Sequence, residues 1–351
     1  MVKKERAVYL DTICGILIIH MIYTCHLPSF AAGLDTARQW PIFIIPGLVL
    51  GFFMSWFFFK SGMFYKEKPF REVLRSSAKR LLVPYIVFTI IGAICEILFR
   101  IGDPSLSTFG LITRPLYETL YDESPSWSLA NWFLLSLFIV RIAFAALKKM
   151  KVNTIVIFTV SLLLAYAVNK LYYVIQPAPY VIMIGGKHLL LYIPYYWGNI
   201  FYGLVFYSLG LLLKDLQFNK YAFVIAAALV IIHFFYKSGI DVRADDVHGM
   251  FPAYPLAVVY SIAGIIVFNN IFKRFINKKI PLLTYVGKNS MIYYVTHYIT
   301  LSVMFNVFVG DVSKRTDKPL LYIEGAIILT IALFIYDRIF TKTKAKRIIQ
   351  G

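Results

Sequence analysis

Ten stretches of this chain are apolar over a length that reaches across a bilayer, and that repetition constrains the fold more than any single motif. A segment of roughly 17–25 mostly apolar residues suffices to span the hydrocarbon core as a helix. In approximate bounds the windows are 7–26, 41–63, 82–99, 129–147, 153–174, 189–213, 220–236, 252–272, 282–308 and 319–340. Hydrophobic residues make up 59% of the chain and charged residues 15%, against an apolar share of about 45–50% in soluble domains. The expected architecture is all-α: a polytopic integral membrane helix bundle of about ten transmembrane helices. The ninth window is long enough to tilt or break.

The cations set the orientation. The formal net charge of +18 comes from 36 Lys+Arg against 18 Asp+Glu. A nucleic-acid partner would require those cations on one soluble face; here they fall in short connectors, so no nucleic acid is expected. Lys3, Lys4 and Arg6 share a side with Lys66, Lys68, Arg71, Arg75, Lys79 and Arg80, with Lys148, Lys149 and Lys151, with Lys214 and Lys220, with Lys273, Arg274, Lys278 and Lys279, and with Lys342, Lys344, Lys346 and Arg347. The opposite connectors hold Asp35, Asp103, Asp122, Glu123, Asp241, Asp245, Asp246 and Asp311. The positive-inside rule then puts both termini in the cytoplasm, as an even helix count requires. The first apolar stretch lacks a small-residue cleavage site, so it reads as a retained helix rather than a signal peptide. Cys14 and Cys25 are about 16 Å apart on one helix and cannot bridge. With no repeat, linker or soluble segment, residues 1–351 read as a single domain. The connectors at about 100–128 and 237–251 are either substrate-facing loops or solvated linkers.

Ionisable residues inside apolar spans mark the candidate chemistry. The first window carries Asp11, His20 and His26, and the ninth carries His297. If both helices enter from the cytoplasm, His26 and His297 lie in the outer half. A lone intramembrane histidine also serves as a packing hydrogen bond between helices, the plainer reading for His233 among Ile231, Ile232, Phe234 and Phe235. Arg75, Lys79 and Arg80 form a broad basic face ahead of Leu81-Leu82-Val83-Pro84-Tyr85. Such a face can neutralise phosphates, although anchoring to anionic headgroups accounts for it from composition alone. Trp132-Phe133-Leu134-Leu135 precedes Arg141, a cation that needs an anionic partner or a route to the interface. Gly287-Lys288-Asn289-Ser290 interrupts the ninth window and could break its helix where a cavity satisfies the backbone. No spacing of His, Cys and carboxylates calls for a metal.

Four segments together resemble a known family. They are Leu10-Asp11-Thr12-Ile13-Cys14-Gly15-Ile16 running to His26; Ala78-Lys79-Arg80-Leu81-Leu82-Val83-Pro84-Tyr85; Trp132-Phe133-Leu134-Leu135; and Gly287-Lys288-Asn289-Ser290-Met291-Ile292-Tyr293-Tyr294-Val295-Thr296-His297. In this order, over nearly the whole chain, they resemble the acyltransferase type 3 family of integral membrane O-acyltransferases of sugars and surface glycans. The resemblance implies transfer of an acyl group, most often acetyl, from acyl-CoA as donor substrate to a carbohydrate hydroxyl on a sugar, glycan or lipid-linked saccharide. No permanently bound cofactor is implied. It places the protein in a bacterial-type inner membrane, among membrane lipids. It also implies catalysis by His26 and donor phosphates on Arg75, Lys79 and Arg80, and it includes Trp132 and His297. From position and chemistry, His297 is expected to support His26, Arg141 to assist with the donor, and Trp132 and Asn289 to contact substrate, Asn289 as a donor to the developing oxyanion.

One departure is specific to this chain. The family commonly has a basic residue before the glycine and a histidine eleven positions later; here those positions are Cys14 and Cys25, and His26 follows one residue on. On a regular helix that turns it by about 100° from the expected face. Either the helix carries a local bulge, or the adjacent histidine is used. The rival function is a glycan or lipid-linked sugar transporter without acyl transfer, expected to show paired broken helices.

Overall fold

A computed structural model describes residues 7–32, 46–47, 49–101, 108–121, 124–175, 180–184, 187–191, 195–216, 219–236, 254–276, 278–309, 317–343, 345 and 348–349. The expected connector at 237–251 lies outside them. So do Lys3, Lys4, Arg6, Lys344, Lys346 and Arg347, the outer carboxylates named above, and the side chain of His233.

The described residues are helical apart from one hairpin. The helices are α1 (Val8–Ala32), α2 (Phe53–Met63), α3 (Phe70–Arg100), α4 (Thr108–Tyr121), α5 (Ser126–Lys149), α6 (Thr154–Ile175), α7 (Tyr195–Leu212), α8 (Lys220–Tyr236), α9 (Tyr254–Phe275), α10 (Pro281–Lys288), α11 (Ser290–Val309) and α12 (Lys318–Lys342). Seven of them are long and apolar enough to cross a membrane, namely α1, α3, α5, α6, α9, α11 and α12. In α7 and α8 the apolar parts are shorter, Trp197–Leu212 and Lys220–Ile232.

The expected sixth span, 189–213, is corrected at its start. β1 (Tyr180–Ile184) pairs antiparallel with β2 (Lys187–Leu191), and the helix begins only at Tyr195. Two apolar runs separated by Gly185-Gly186 are a two-residue hairpin signature, which overrides the apolarity of the second run. The ninth window is broken, as its polar interruption suggested. α10 ends at Lys288, Asn289 takes φ −103° and ψ 17°, and α11 starts at Ser290.

Prolines shape two of the spans. The His20–His26 part of α1 and the Ala78–Leu82 part of α3 are π-helical, each ending two residues before a proline, Pro28 and Pro84. A proline has no N–H to give and its ring crowds the carbonyl one turn back, so the upstream ladder widens. In α1, Leu27 N–H bonds Ile22 O in the i→i+5 pattern. Pro28 cannot donate to the next carbonyl, and the Tyr322 hydroxyl of α12 donates to Tyr23 O instead, at 3.0 Å.

Two pairs of helices meet backbone to backbone through reciprocal glycines. A Cβ on Gly15 would stand 2.0 Å from Leu283 O, and one on Gly287 would stand 1.7 Å from Asp11 O. Gly62 and Gly210 do the same between α2 and α7, against Tyr207 O at 1.9 Å and Phe59 O at 2.1 Å. Close approach through small residues is how helices gain dispersion contact where no water drives them together. Thr12 and Thr284 share a hydrogen bond of 3.1 Å across the first contact. Polar ties fix the rest of the core: Trp56 Nε1–H donates to Asn269 Oδ1 at 2.9 Å, and Ser55 bonds the Tyr202 hydroxyl.

Within the 100–128 connector, α4 is clasped to its neighbours. Arg114 Nε bonds Glu118 Oε1 at 2.8 Å and lies 3.6 Å from the buried Glu96, while Ser126 N–H and hydroxyl donate to Glu118 Oε2 at 2.7 and 2.6 Å.

Candidate functional site

α1 and α11 bring together the two histidines that the sequence singled out. His26 Nδ1 and His297 Nε2 are 2.8 Å apart, with ring planes 2° from parallel. The local geometry settles which atom donates. His297 Nδ1 lies 3.0 Å from Tyr293 O and 2.8 Å from Tyr294 O, and carbonyl oxygens only accept, so Nδ1 carries the proton. A neutral His297 therefore offers a lone pair at Nε2, and His26 must donate to it from Nδ1. The lone pair of a neutral His26 is then at Nε2. His297 is fully buried and His26 partly exposed, so the outer imidazole of the pair is the one that can meet a substrate. Tyr298 packs edge-on against His26, with ring centroids 5.2 Å apart.

The shifted position of His26 has a structural origin. One inserted residue turns the helix beyond it by about 100°, and a turn closed i→i+5 takes up one residue more than an α turn. The π segment His20–His26 is that bulge. Cys14 and Ile18 share a cavity with Ser290, Met291 and Tyr294 of α11, and His26 meets His297 of the same helix. All three α1 side chains thus face α11.

That cavity, of about 480 Å³, runs between α1, α2, α3, α5, α7 and α11. One end is basic, with Lys60, Lys66, Lys68, Arg80 and Arg141; the other is apolar, with Ile18, Phe57, Phe133 and Tyr294. No carboxylate lines it among the described residues. Arg141 interacts with the Tyr207 hydroxyl, but its buried Nε has no hydrogen-bond partner among the described residues, the kind of orphan donor that an anion satisfies. Lys60 lies over the Trp56 ring at 5.0 Å from its centroid, whereas Lys68 is paired with Glu72. Burial first, and the nearby Glu67 charge second, push the Tyr65 hydroxyl above its ordinary range, so it remains a donor beside the cations. An elongated ligand with phosphates at one end and an apolar tail at the other matches this lining. Tyr294 at the inner end has its ring centroid 6.2 Å from that of His297.

The sequence-derived donor residues divide. Arg80 and Arg141 line the cavity; Arg75 and Lys79 do not. Val73, Ser76 and Arg80 present the lining face of α3, and Arg75 and Lys79 each sit next to a lining position, about 100° round the helix. Lys60 and Lys66, which the sequence reading did not single out for binding, line it instead. Their signal was available as cations flanking the end of the second apolar window. Trp132 is buried against Phe133, with centroids 6.0 Å apart, and is not among the cavity residues. Asn289 forms the break between α10 and α11, about 12 Å along the axis from His297; its neighbour Ser290 reaches the cavity.

Comparison with known proteins decides the family. The model of a family described as an acyltransferase domain, the acyltransferase type 3 family, matches residues 8–336. The chain belongs to that family. No curated protein and no solved structure matches it. It is an integral, multi-pass membrane protein, and an acyltransferase by family.

Proposed function

We propose that this acyltransferase moves an acyl group, in the first instance acetyl, from acyl-CoA to a carbohydrate hydroxyl, with His26 as general base. The observation carrying this reading is the pairing of His26 with His297 one helical turn beyond a cavity whose mouth is cationic. A sugar hydroxyl is a poor nucleophile at neutral pH, and an imidazole that accepts its proton during attack contributes about 10²–10⁴-fold. His26 Nε2 takes the proton; the Nδ1–H···Nε2 bond to His297 then becomes charge-assisted and stronger. Lys60, Arg80 and Arg141 hold the donor's phosphates, and its thin arm follows the apolar wall of Ile18, Phe57 and Phe133 inward. Arg75 and Lys79 act outside the cavity by drawing the anionic donor to the surface, while Trp132, buried against Phe133, and Asn289, next to Ser290, support the bound substrates through those lining neighbours.

In this reading the chain is one domain of about ten spans, with both termini cytoplasmic, in a bacterial-type inner membrane. The basic mouth then faces the cytoplasm, where acyl-CoA is made, and the histidine pair lies toward the outer leaflet.

The test is release of free CoA by purified, detergent-solubilised protein given acetyl-CoA with and without a pool of sugar acceptors. Acceptor-dependent release is expected; its absence with every acceptor would sink the reading. Arg141→Ala and Lys60→Ala are expected to raise KM for acetyl-CoA by about 10–100-fold each, with kcat changed far less, since a hydrogen bond to a charged group is worth about 1.5–3 kcal/mol. Unchanged KM in both variants would place the donor elsewhere.

A further inference from the structure

The π segment of α1 creates a second functional pair beside the first. Closing the turn i→i+5 stacks residues five apart, and Cys25 Sγ lies 3.5 Å from His20 Nε2. The donor can again be assigned. The Thr24 hydroxyl lies 2.6 Å from His20 O, which can only accept, so its one hydrogen goes there. The same hydroxyl oxygen also bonds His20 Nδ1 and so accepts from Nδ1–H. A neutral His20 then has its lone pair at Nε2, facing the thiol, and Cys25 S–H donates to it. A nucleophile, a base and a third group that fixes the base's tautomer form the arrangement that activates covalent catalysts. His20 is buried at 3% exposure, while Cys25 is partly exposed.

Neither Cys25 nor His20 is a lining residue of the cavity; the pair is linked to it through α2. His20 packs edge-on against Phe53, centroids 5.6 Å apart, and Phe53 is one α2 turn beyond the cavity residue Phe57. Tyr294 connects the same inner end to His297 on the other flank.

We propose that Cys25 is a covalent acyl carrier between donor and acceptor; this rests on the acyl-transfer reading above. In the first half-reaction the Cys25 proton passes to His20 Nε2, the thiolate attacks the donor's thioester carbonyl, a new sulfur–carbonyl bond forms and the donor's breaks. The departing CoA thiolate takes the proton from His20, so one thioester is exchanged for another with no external reactant. In the second half the acceptor hydroxyl gives its proton to His26 Nε2 and attacks the Cys25 thioester. The oxygen–carbonyl bond forms, the Cys25 bond breaks, and the proton lost by the acceptor balances the one that the Cys25 thiolate regains. The carrier lets donor and acceptor use the site in turn, from opposite ends of the bundle.

The experiment uses the purified full chain with radiolabelled acetyl-CoA and no acceptor, rapidly quenched, with protein-bound label measured before and after neutral hydroxylamine. Hydroxylamine-labile label is expected on the wild type and on Cys95→Ala, and longer-lived label on His26→Ala. It should be absent from Cys25→Ala and Cys25→Ser, and its formation slowed by about 10²-fold in His20→Gln. Cys25→Ser keeps the size of the side chain, so loss of labile label from a monodisperse Cys25→Ser protein is not a folding effect. Acceptor-dependent CoA release without label on the wild type, or wild-type turnover by Cys25→Ala, would overturn the carrier and leave the general base standing. Neither label nor release under any condition would overturn both.

Discussion

Replacing His26 with alanine is expected to lower acceptor-dependent acyl transfer by about 10²–10⁴-fold, the usual contribution of a positioned general base. The equilibrium affinity for acetyl-CoA should stay near the wild-type value, because the phosphate-facing cations lie at the opposite end of the cavity. His297→Ala is expected to cost less. It leaves the His26 base in place but removes the acceptor for its Nδ1–H, which matters most when His26 becomes an imidazolium. A hydrogen bond from a charged donor is worth about 1.5–3 kcal/mol, so the loss should be about 10–100-fold in kcat. His297→Gln presents an amide oxygen to His26 Nδ1 and should recover much of it. Steady-state rates of the three variants check this ordering. Equal rates in His26→Ala and wild type would remove the base; equal losses in His297→Ala and His297→Gln would show that His297 does not act through this hydrogen bond.

The second large effect is structural. Gly287→Ala places a Cβ 1.7 Å from Asp11 O, and Gly15→Ala places one 2.0 Å from Leu283 O. In both cases the obstacle is backbone on a packed helix rather than the end of a flexible side chain, so the helices must separate. Overpacking typically costs 1–3 kcal/mol and occasionally more, and here the Thr12–Thr284 hydrogen bond is stretched as well. Both variants are expected to lower Tm in detergent and the yield of monodisperse protein. Gly47→Ala, whose Cβ would meet nothing within 4 Å among the described residues, should leave Tm unchanged. Because the two glycines serve one contact, the double variant should cost less than the sum of the singles. Thermal unfolding of the four variants beside the wild type decides it: a Gly287→Ala protein as stable as the wild type would mean that α1 and α10 do not cross this closely. The crossing also bears on chemistry, since it sets Cys14 and Ile18 of α1 against Ser290 and Tyr294 just beyond α10.

Much of the site was legible before the fold was known, for a specific reason. An imidazole in an apolar span is costly enough to mark itself, so His26 and His297 could be singled out one at a time, and the polar interruption at Gly287–Ser290 announced a break. Their hydrogen bond could not be read, because it joins residues 271 positions apart. Nor could the selection of Arg80 over Arg75 and Lys79. All three are basic, adjacent and equally suited to anions; the helix's rotation about its axis, set by packing Val73 and Ser77 into the bundle, decides which faces the cavity.

The sequence by itself determined the membrane class, the helical architecture, the family and the presence of histidines at depth, because these follow from apolarity and local motif order along a helix. Tertiary structure alone decided the register. Pro28 widens the α1 ladder, the resulting π turn absorbs one residue, and that rotation carries His26 onto the face of α11 while leaving Cys25 against His20. The reciprocal glycines then fix how deeply α1 and α10 interlock. Inside a helix, proline withdraws a hydrogen bond, but only the neighbouring helices, through Tyr322 on the freed carbonyl and His297 on the displaced imidazole, determine which way the chain turns to make up for it.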